Sequence, residues 1–203
     1  MYIPKIFNND DITNAISFMK KFSFGTIITS DNGKPIATHL PFVITERNDE
    51  IILTSHFAKA NSHSKKMQQK EVLVIFTEPH AYISPKLYDK KENVPTWNYI
   101  SVHTYGTAKI LESNTEVINV LEQMIKSYDT EYLNQWNGLS KDYKAKMVKG
   151  IVAFEIRINE LQFKEKLSQN KSENEQNKII NNLAKSESGN EVLLAEYMNN
   201  KKN

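Results

Sequence analysis

The arrangement of strand-like segments limits the fold of this 203-residue chain more than any other feature of its sequence. Seven short runs are rich in β-branched and aromatic residues, and turn signals rather than helices separate most of them. The first two runs flank Asn32 and Gly33, a pair that readily adopts the positive φ angles of a tight hairpin turn. Strands joined in this way form an antiparallel sheet or barrel, whereas a parallel sheet needs a crossover helix after each strand. We therefore predict an α+β protein built around an antiparallel β-barrel. The predicted strands comprise residues 24–30, 35–43, 50–56, 71–77, 81–84, 95–111 and 150–158.

Three segments have the 3.6-residue periodicity of amphipathic helices, and they lie where the rim of a barrel would carry them. They comprise residues 10–22, 115–128 and 140–148. After Phe163 the sequence becomes polar and turn-like, and two short helical patterns follow near residues 173–184 and 191–198. We predict a barrel domain over residues 1–165 and a helical C-terminal appendage over residues 166–203.

The charges of the chain nearly balance, because 26 basic residues accompany 24 acidic ones and the formal net charge is only +2. Such a chain has no strong overall attraction to nucleic acid or to an anionic membrane. The absence of cysteine excludes disulfides, thiolate zinc sites and cysteine nucleophiles. No signal peptide is evident, and no run approaches the ~20 apolar residues of a membrane span. We expect a cytoplasmic protein with no membrane partner.

The histidines and acidic residues form no familiar catalytic or metal-binding motif. The five histidines show neither helical i,i+4 spacing nor an HExxH sequence, and GxSxG, GxGxxG and P-loop sequences are absent. We predict no catalytic residue and no metal site. Only His39 and His103 are candidates for a proton donor, and a haem ligand among the histidines at strand ends stays open.

The segment TSHFAKANSH, residues 54–63, is the best candidate for binding an anion. It joins a strand to a short helix, and Lys59 has Asn61 and Ser62 as polar neighbours. Backbone amides at the start of a helix, together with an ammonium group, can hold one phosphate. In the alternative interpretation, Asn61 or Ser62 only caps the helix and Lys59 is an ordinary surface charge. Composition alone leaves both interpretations open.

The strand predicted at residues 95–111 has two faces of different character. One face is aliphatic, as in an ordinary core. The other face carries Trp97, Tyr99, Ser101, His103 and Tyr105. Aromatic rings with a polar tip suit a surface that contacts a flat ligand or a second subunit. The pattern is compatible with either partner.

Several long motifs also occur in a characteristic order along the chain. They include FGTIITSDNGKPIATHLP, HFAKAN, VLVIFTEPHAYISP, NVPTWNY, VHTYG and KLSQNK. Together they resemble the motifs of the PaiB family, which consists of FMN-binding negative transcriptional regulators first associated with protease synthesis and sporulation control. The resemblance implies an FMN-binding split β-barrel of the flavin-reductase and pyridoxamine-phosphate-oxidase type. It also implies a homodimer that holds FMN in a groove between its subunits.

The same resemblance assigns residues to the FMN site. It places the flavin phosphate at His56, Lys59 and Asn61, where related oxidases commonly use arginine. The residues that it places along the flavin ring are Thr38, His39, Leu40 and Pro41. Trp97 is the candidate for contact with the ring, and a place in the core or at the dimer interface without flavin contact is its alternative.

Three functions are compatible with the sequence. The resemblance implies a homodimeric, FMN-binding negative regulator that binds promoter DNA or a partner protein. A flavin-dependent oxidoreductase of the pyridoxamine-phosphate-oxidase-like superfamily is one alternative, and a protein that binds haem or another planar ligand in the same groove is the other. The tail itself gives DNA binding little support, because residues 163–203 contain seven lysines and six glutamates, a net of +1. We therefore expect the tail to pack or to contact the other subunit.

Overall fold

The chain forms a seven-stranded antiparallel sheet with helices at its periphery, as seen in a computed structural model that describes residues 1–201. The strand order is β2-β1-β5-β6-β7-β4-β3. The strands are β1 (Phe24–Asp31), β2 (Lys34–Pro41), β3 (Val43–Arg47), β4 (Glu50–Ala58), β5 (Glu71–Ile83), β6 (Thr96–Ile110) and β7 (Ile151–Lys166). This architecture confirms the predicted α+β class with an antiparallel split barrel.

Helices connect or follow the strands, and short polar side chains cap several of them. The helices are α1 (Ile12–Lys21), α2 (Ser64–Met67), α3 (Asn114–Tyr128), α4 (Tyr132–Gly138), α5 (Lys141–Lys149), α6 (Glu173–Leu183) and α7 (Gly189–Asn200). Ser113 and Glu116 form a reciprocal capping box at the start of α3. Within residues 1–201, no helix combines the length and the apolar character that crossing a membrane requires.

Two tight turns set the hairpins of the sheet. Asn32 and Gly33 have φ angles of 51° and 80°, and Asn48 and Asp49 have φ angles of 53° and 62°. Consecutive positive φ angles are the mark of a hairpin turn whose twist matches that of the flanking strands. The predicted turn at Asn32 and Gly33 is therefore confirmed.

The structure corrects several predicted element boundaries. The runs at 71–77 and 81–84 form a single strand, β5, because Pro79 is accommodated within the strand. The predicted strand that ended at Val43 is interrupted by buried Phe42, whose N–H donates to the Ser23 carbonyl, and β3 begins after it. The last strand continues to Lys166, well beyond its predicted end, and helix α4 was not predicted.

The chain clusters into two compact units that alternate along the sequence. Unit 1 consists of Met1–Ile12, Thr77–Val102 and Gln162–Asn203. Unit 2 consists of Thr13–Phe76 and His103–Leu161. The sequence-based division after residue 165 stays a prediction.

The core of unit 2 is built from phenylalanine rings. Phe42 packs edge-on against Phe76 with ring centroids 5.6 Å apart, and Phe57 stacks on Phe154 at 5.0 Å. All four rings are fully buried, so they contribute much of the hydrophobic stabilisation of this unit. A second buried cluster includes residues of α3 and α5, namely Val117, Val120, Met124 and Val148.

The C-terminal helices are packed parts of unit 1. Helices α6 and α7 lie against each other and bury Ile179, Leu183, Leu194, Ala195 and Met198. Asp89 anchors α6, because its carboxylate accepts hydrogen bonds from Lys178 at 2.6 Å and from Asn174 at 3.0 Å. The two C-terminal helices are therefore packed rather than extended, as expected for the tail.

Candidate functional site

Strand β2 carries four of the residues predicted to bind FMN and lies at one end of the strand order. Its alternation leaves Thr38 and Leu40 half-buried and His39 exposed. Pro41 ends the strand, and its carbonyl accepts a hydrogen bond from the Ser55 hydroxyl at 2.6 Å. The half-buried side of β2 therefore presents a threonine hydroxyl toward the interior of unit 2.

A buried histidine connects β1, β2 and the loop that follows β4. His63 is 1% exposed, and its Nε2 lies 2.9 Å from the Thr29 hydroxyl while its Nδ1 lies 2.8 Å from the Thr38 hydroxyl. Burial lowers the pKa of His63, so the ring is neutral at pH 7 and has one donor and one acceptor nitrogen. Its ring also contacts the Phe57 ring at a centroid distance of 5.2 Å. These contacts fix the position of Thr38 relative to the loop.

The loop between β4 and α2 is held in shape by hydrogen bonds within it and by one to the carbonyl of Gly150. The backbone N–H groups of Lys59 and Asn61 each donate to a backbone carbonyl at 2.8 Å. Asn61 Oδ1 accepts from the N–H of His63 at 3.0 Å, and Asn61 Nδ2 donates to the Thr38 hydroxyl at 3.5 Å. Asn61 therefore stabilises the turn before α2 without capping this helix, whose N-cap is His63, and its amide also reaches Thr38.

The donors at this loop have the chemistry that a flavin phosphate requires. Thr38 and Asn61 contact each other, and the exposed side chain of Lys59 precedes Asn61 by two residues. Hydroxyl, amide and ammonium groups are preferred partners of phosphate oxygens. Because the amides of Lys59 and Asn61 already bond to carbonyls, side chains rather than these amides would hold a phosphate. The side chains present therefore fit the phosphate of FMN. The sequence predicted that backbone amides would be among the donors, and the structure leaves this task to the side chains.

His56 does not join the group formed by Thr38 and Asn61. It lies on the opposite face of β4 from Ser55, and its Nδ1 is 3.2 Å from the Met124 sulphur. There it lines a mainly apolar cavity of about 310 Å³ with side chains of α3, α4 and α5. Burial lowers the pKa of His56, which is therefore neutral at pH 7. Its role at the flavin phosphate stays a prediction.

Trp97 is the one predicted cofactor residue that belongs to unit 1. Its side chain is 52% exposed and contacts the rings of His80 and Tyr82 at centroid distances of 5.8 and 6.1 Å. Tyr82 is itself 48% exposed. We call these three residues the ring cluster. Half-exposed rings of this kind suit a flat ligand or a second protein surface.

The two faces of β6 differ as the sequence predicted. Ile100, Val102 and Ala108 are fully buried, whereas the alternating side is mostly half-exposed. In unit 2 this side carries His103, whose pKa is lowered mainly by burial. Its Nδ1 is buried and has no hydrogen-bond partner within residues 1–201.

His63 and Thr29 are the site residues that the sequence analysis did not assign. The sequence signals for them were weak, since Thr29 is one of several inward positions of β1 and His63 is one polar residue in a polar loop. Only the fold shows that they meet. Across the described part of the chain, no group of three or more histidine and acidic residues is placed to hold a metal ion.

Solved structures share this fold. The flavocytochrome Anf3 from Azotobacter vinelandii aligns with a TM-score of 0.64 and 14% identity, covering 81% of this chain and 72% of that protein. The FAD and haem binding protein from Mycobacterium smegmatis aligns with a TM-score of 0.62 and 12% identity, covering 78% and 73%. Identities this low establish a common fold only. The fold therefore places this chain in the split-β-barrel class of proteins.

The family of the chain follows from its sequence relatives. Residues 1–160 match the family described as "Putative FMN-binding domain". Over 204 residues the chain is 40% identical to the protease synthase and sporulation protein PAI 2 of Bacillus subtilis strain 168, covering 99% of this chain and 98% of that protein. The chain belongs to the PaiB family. The domain match confirms the predicted flavin cofactor.

Proposed function

We propose that this chain is a cytoplasmic homodimer that binds FMN and acts as a negative regulator of transcription. The similarity to PAI 2 carries this proposal, because it covers 99% of the chain and so includes the tail as well as the barrel. The name of that relative refers to protease synthesis and sporulation.

The donors of unit 2 support the flavin part of the proposal. Asn61 would bind the phosphate and Lys59 would balance its charge. Thr38 would join them at the phosphate, because it contacts Asn61, although the resemblance places it along the ring, and Leu40 would give the ring an apolar contact. When bound, FMN supplies a planar redox-active ring. His63 holds Thr38 in place through a bond of 2.8 Å.

The ring cluster supports the dimer. Trp97 and Tyr82 expose about half of their side-chain surface, and large aromatic residues are enriched in protein interfaces. We propose that a second copy of the chain covers them. Analytical ultracentrifugation of the wild type should show a dimer, and Trp97→Ser should weaken it, whereas Tyr143→Ser, at another exposed aromatic residue, should not. A monomeric wild type would contradict this part of the proposal.

The flavin site is tested by reversing the charge of Lys59. We expect Lys59→Glu to reduce FMN affinity at least tenfold, because the new carboxylate repels the phosphate. The matched control is Lys146→Glu on α5, which makes the same change in charge and should leave the affinity within twofold. Fluorescence quenching of FMN measures both affinities. Equal affinities in the two variants would place the phosphate away from Lys59.

The regulatory role is tested with DNA. A gel shift on promoter fragments at physiological salt, with and without FMN, distinguishes specific binding from nonspecific lysine contacts, which weaken steeply with salt. We expect a retarded complex that survives an excess of unrelated DNA. If an excess of unrelated DNA abolishes the retarded complex, the proposed repressor function is refuted.

A flavin-dependent oxidoreductase is the second candidate, and one observation favours it. The pKa of His103 is lowered mainly by burial, and its buried Nδ1 meets no partner among the described residues, so this nitrogen is not committed to another group of the protein. NADH oxidation by the FMN-loaded protein tests this function. Turnover that falls in His103→Gln would support it, and the absence of turnover in the wild type would refute it.

A further inference from the structure

Two of the family motifs, NVPTWNY and KLSQNK, line one cavity in unit 1 that no predicted FMN residue lines. The cavity has a volume of about 230 Å³. Thr96 and Asn98 come from the first motif, and Lys166, Ser168 and Lys171 come from the second. Residues about seventy positions apart in sequence therefore form the walls of one small space.

Hydrogen bonds between the two motifs fix these walls. The fully buried Asn98 donates from Nδ2 to the Ser168 hydroxyl at 2.9 Å. The Lys166 ammonium donates to the Thr96 hydroxyl. Ser168 adopts a φ of 62°, a conformation that costs energy for a residue with a side chain. The cavity is thus a built feature of the fold and not a gap between loosely packed loops.

Tyr88 lines the cavity and has an unsatisfied hydroxyl. Its side chain is 7% exposed, and within the described residues the hydroxyl finds no hydrogen-bond partner. A buried hydroxyl without a partner is costly, and such groups are rare enough in native proteins to call for an explanation. Burial raises the pKa of Tyr88, and the nearby Glu175 and Tyr82 raise it further, so the phenol keeps its proton and can donate.

Two lysine side chains line the same cavity, and each ammonium group donates a hydrogen bond to a neutral oxygen. The Lys171 Nζ lies 3.7 Å from the centre of the Tyr88 ring and donates to Asn93 Oδ1 at 2.9 Å. Lys166 donates to a hydroxyl, as described above. Glu175 interacts with Lys171 through space, but its carboxylate already accepts the N–H of Asp89 at 3.0 Å. The lining therefore holds two positive charges whose direct bonds go to neutral oxygens.

We propose that this cavity binds a phosphate group, separately from the FMN site. Two ammonium groups and a phenol donor match a small dianion whose oxygens accept several hydrogen bonds. The volume lies below the roughly 300–1,000 Å³ of pockets for drug-sized ligands, so the ligand is small. Inorganic phosphate and a small phosphate ester share this chemistry.

Calorimetric titration of the full-length protein, saturated with FMN, tests the proposal. The probes are inorganic phosphate and glycerol phosphate, each compared with chloride at equal ionic strength. We expect both phosphate compounds to bind more tightly than chloride. The one that binds more tightly shows whether the natural ligand is inorganic phosphate or a phosphate ester. Tyr88→Phe should weaken binding about tenfold, because it removes one donor to a charged acceptor. This variant keeps the ring and removes an unsatisfied group, so its folding is not endangered.

Lys171→Met should weaken binding at least as much, and Lys86→Met, at an exposed lysine of the same unit, should leave it unchanged. Three results would overturn the proposal: no phosphate binding, equal affinity in wild type and Tyr88→Phe, or loss of phosphate binding when FMN is added. The last result would mean that the cavity belongs to the flavin. Because FMN affinity is measured separately with Lys59→Glu, failure of the second site leaves the proposed function testable.

Discussion

Replacing His63 tests whether one buried imidazole holds the candidate flavin site together. His63→Leu removes both ring nitrogens and retains a buried apolar side chain of similar size. In the wild type the His63 ring forms hydrogen bonds with the hydroxyls of Thr29 at 2.9 Å and Thr38 at 2.8 Å. His39→Leu on the exposed side of β2 is the matched control, because it makes the same chemical change without a buried partner.

The expected loss of stability follows from these contacts. Each lost hydrogen bond contributes roughly 0.5–1.5 kcal/mol, and a buried hydroxyl left without a partner costs about 1–3 kcal/mol. Thr29 is only 5% exposed, whereas Thr38 keeps the Asn61 amide as a partner at 3.5 Å. We therefore expect His63→Leu to lower the free energy of unfolding by about 2–4 kcal/mol, and surface substitutions such as His39→Leu to change it by less than about 0.5 kcal/mol.

Urea unfolding followed by tryptophan fluorescence measures this change. The chain has two tryptophans, Trp97 in unit 1 and Trp136 in unit 2. In a Trp97→Phe background the signal reports on Trp136, which is 4% exposed and lies in the same unit as His63. The FMN affinity of His63→Leu should also fall, because Thr38 loses its support. A loss of stability no larger than that of His39→Leu, with unchanged FMN affinity, would refute the assigned role of His63.

Further predictions concern the sheet and pH. Gly106→Ala should destabilise unit 2 by about 1–3 kcal/mol, because a Cβ would lie 2.8 Å from Ile156 Cγ2 and still closer to the Arg157 carbonyl oxygen. Gly138→Ala, whose Cβ would meet nothing within 4 Å, is the control, and thermal unfolding separates the two. Stability should fall as pH drops below the ordinary histidine pKa of 6.5, because burial lowers the pKa of His63 in the folded state and the unfolded chain binds more protons there. Urea midpoints between pH 8 and 5 measure this slope, and His63→Leu should reduce it; an unchanged slope would contradict the buried neutral ring.

The hairpins and helix periodicities of this chain were predictable, because local chemistry determines them. Asn32 and Gly33 favour the observed turn in any context, and the alternation of β6 separates a core face from an outer face. Two strands were predicted on either side of Pro79, whereas the structure has one strand that includes this proline. Phe42 is the reverse case. Residues 35–43 were predicted as one strand, whereas in the structure buried Phe42 separates β2 from β3. Both exceptions depend on tertiary packing, which a local pattern does not contain.

The candidate site was predictable in part. The sequence placed Thr38 and Asn61 in one site through a resemblance, and the structure brings them into contact. It could not show that His56 faces the other side of β4, because the position of each side chain depends on the exact start of the strand. Nor could it show His63 between two threonines, because that contact joins residues from three elements.

The tail of this chain is not an interchangeable module. It contains helix α6, which is anchored at Asp89, and it supplies part of the lining of the unit 1 cavity. A protein shortened after residue 165 loses Lys166, Ser168 and Lys171, and it leaves the Asp89 carboxylate without Lys178. Swapping tails between relatives would therefore alter what the cavity accepts, even if every barrel residue were kept. Chimeras that retain the KLSQNK segment and exchange only the sequence beyond it offer the cleaner route to separating the tail from ligand binding.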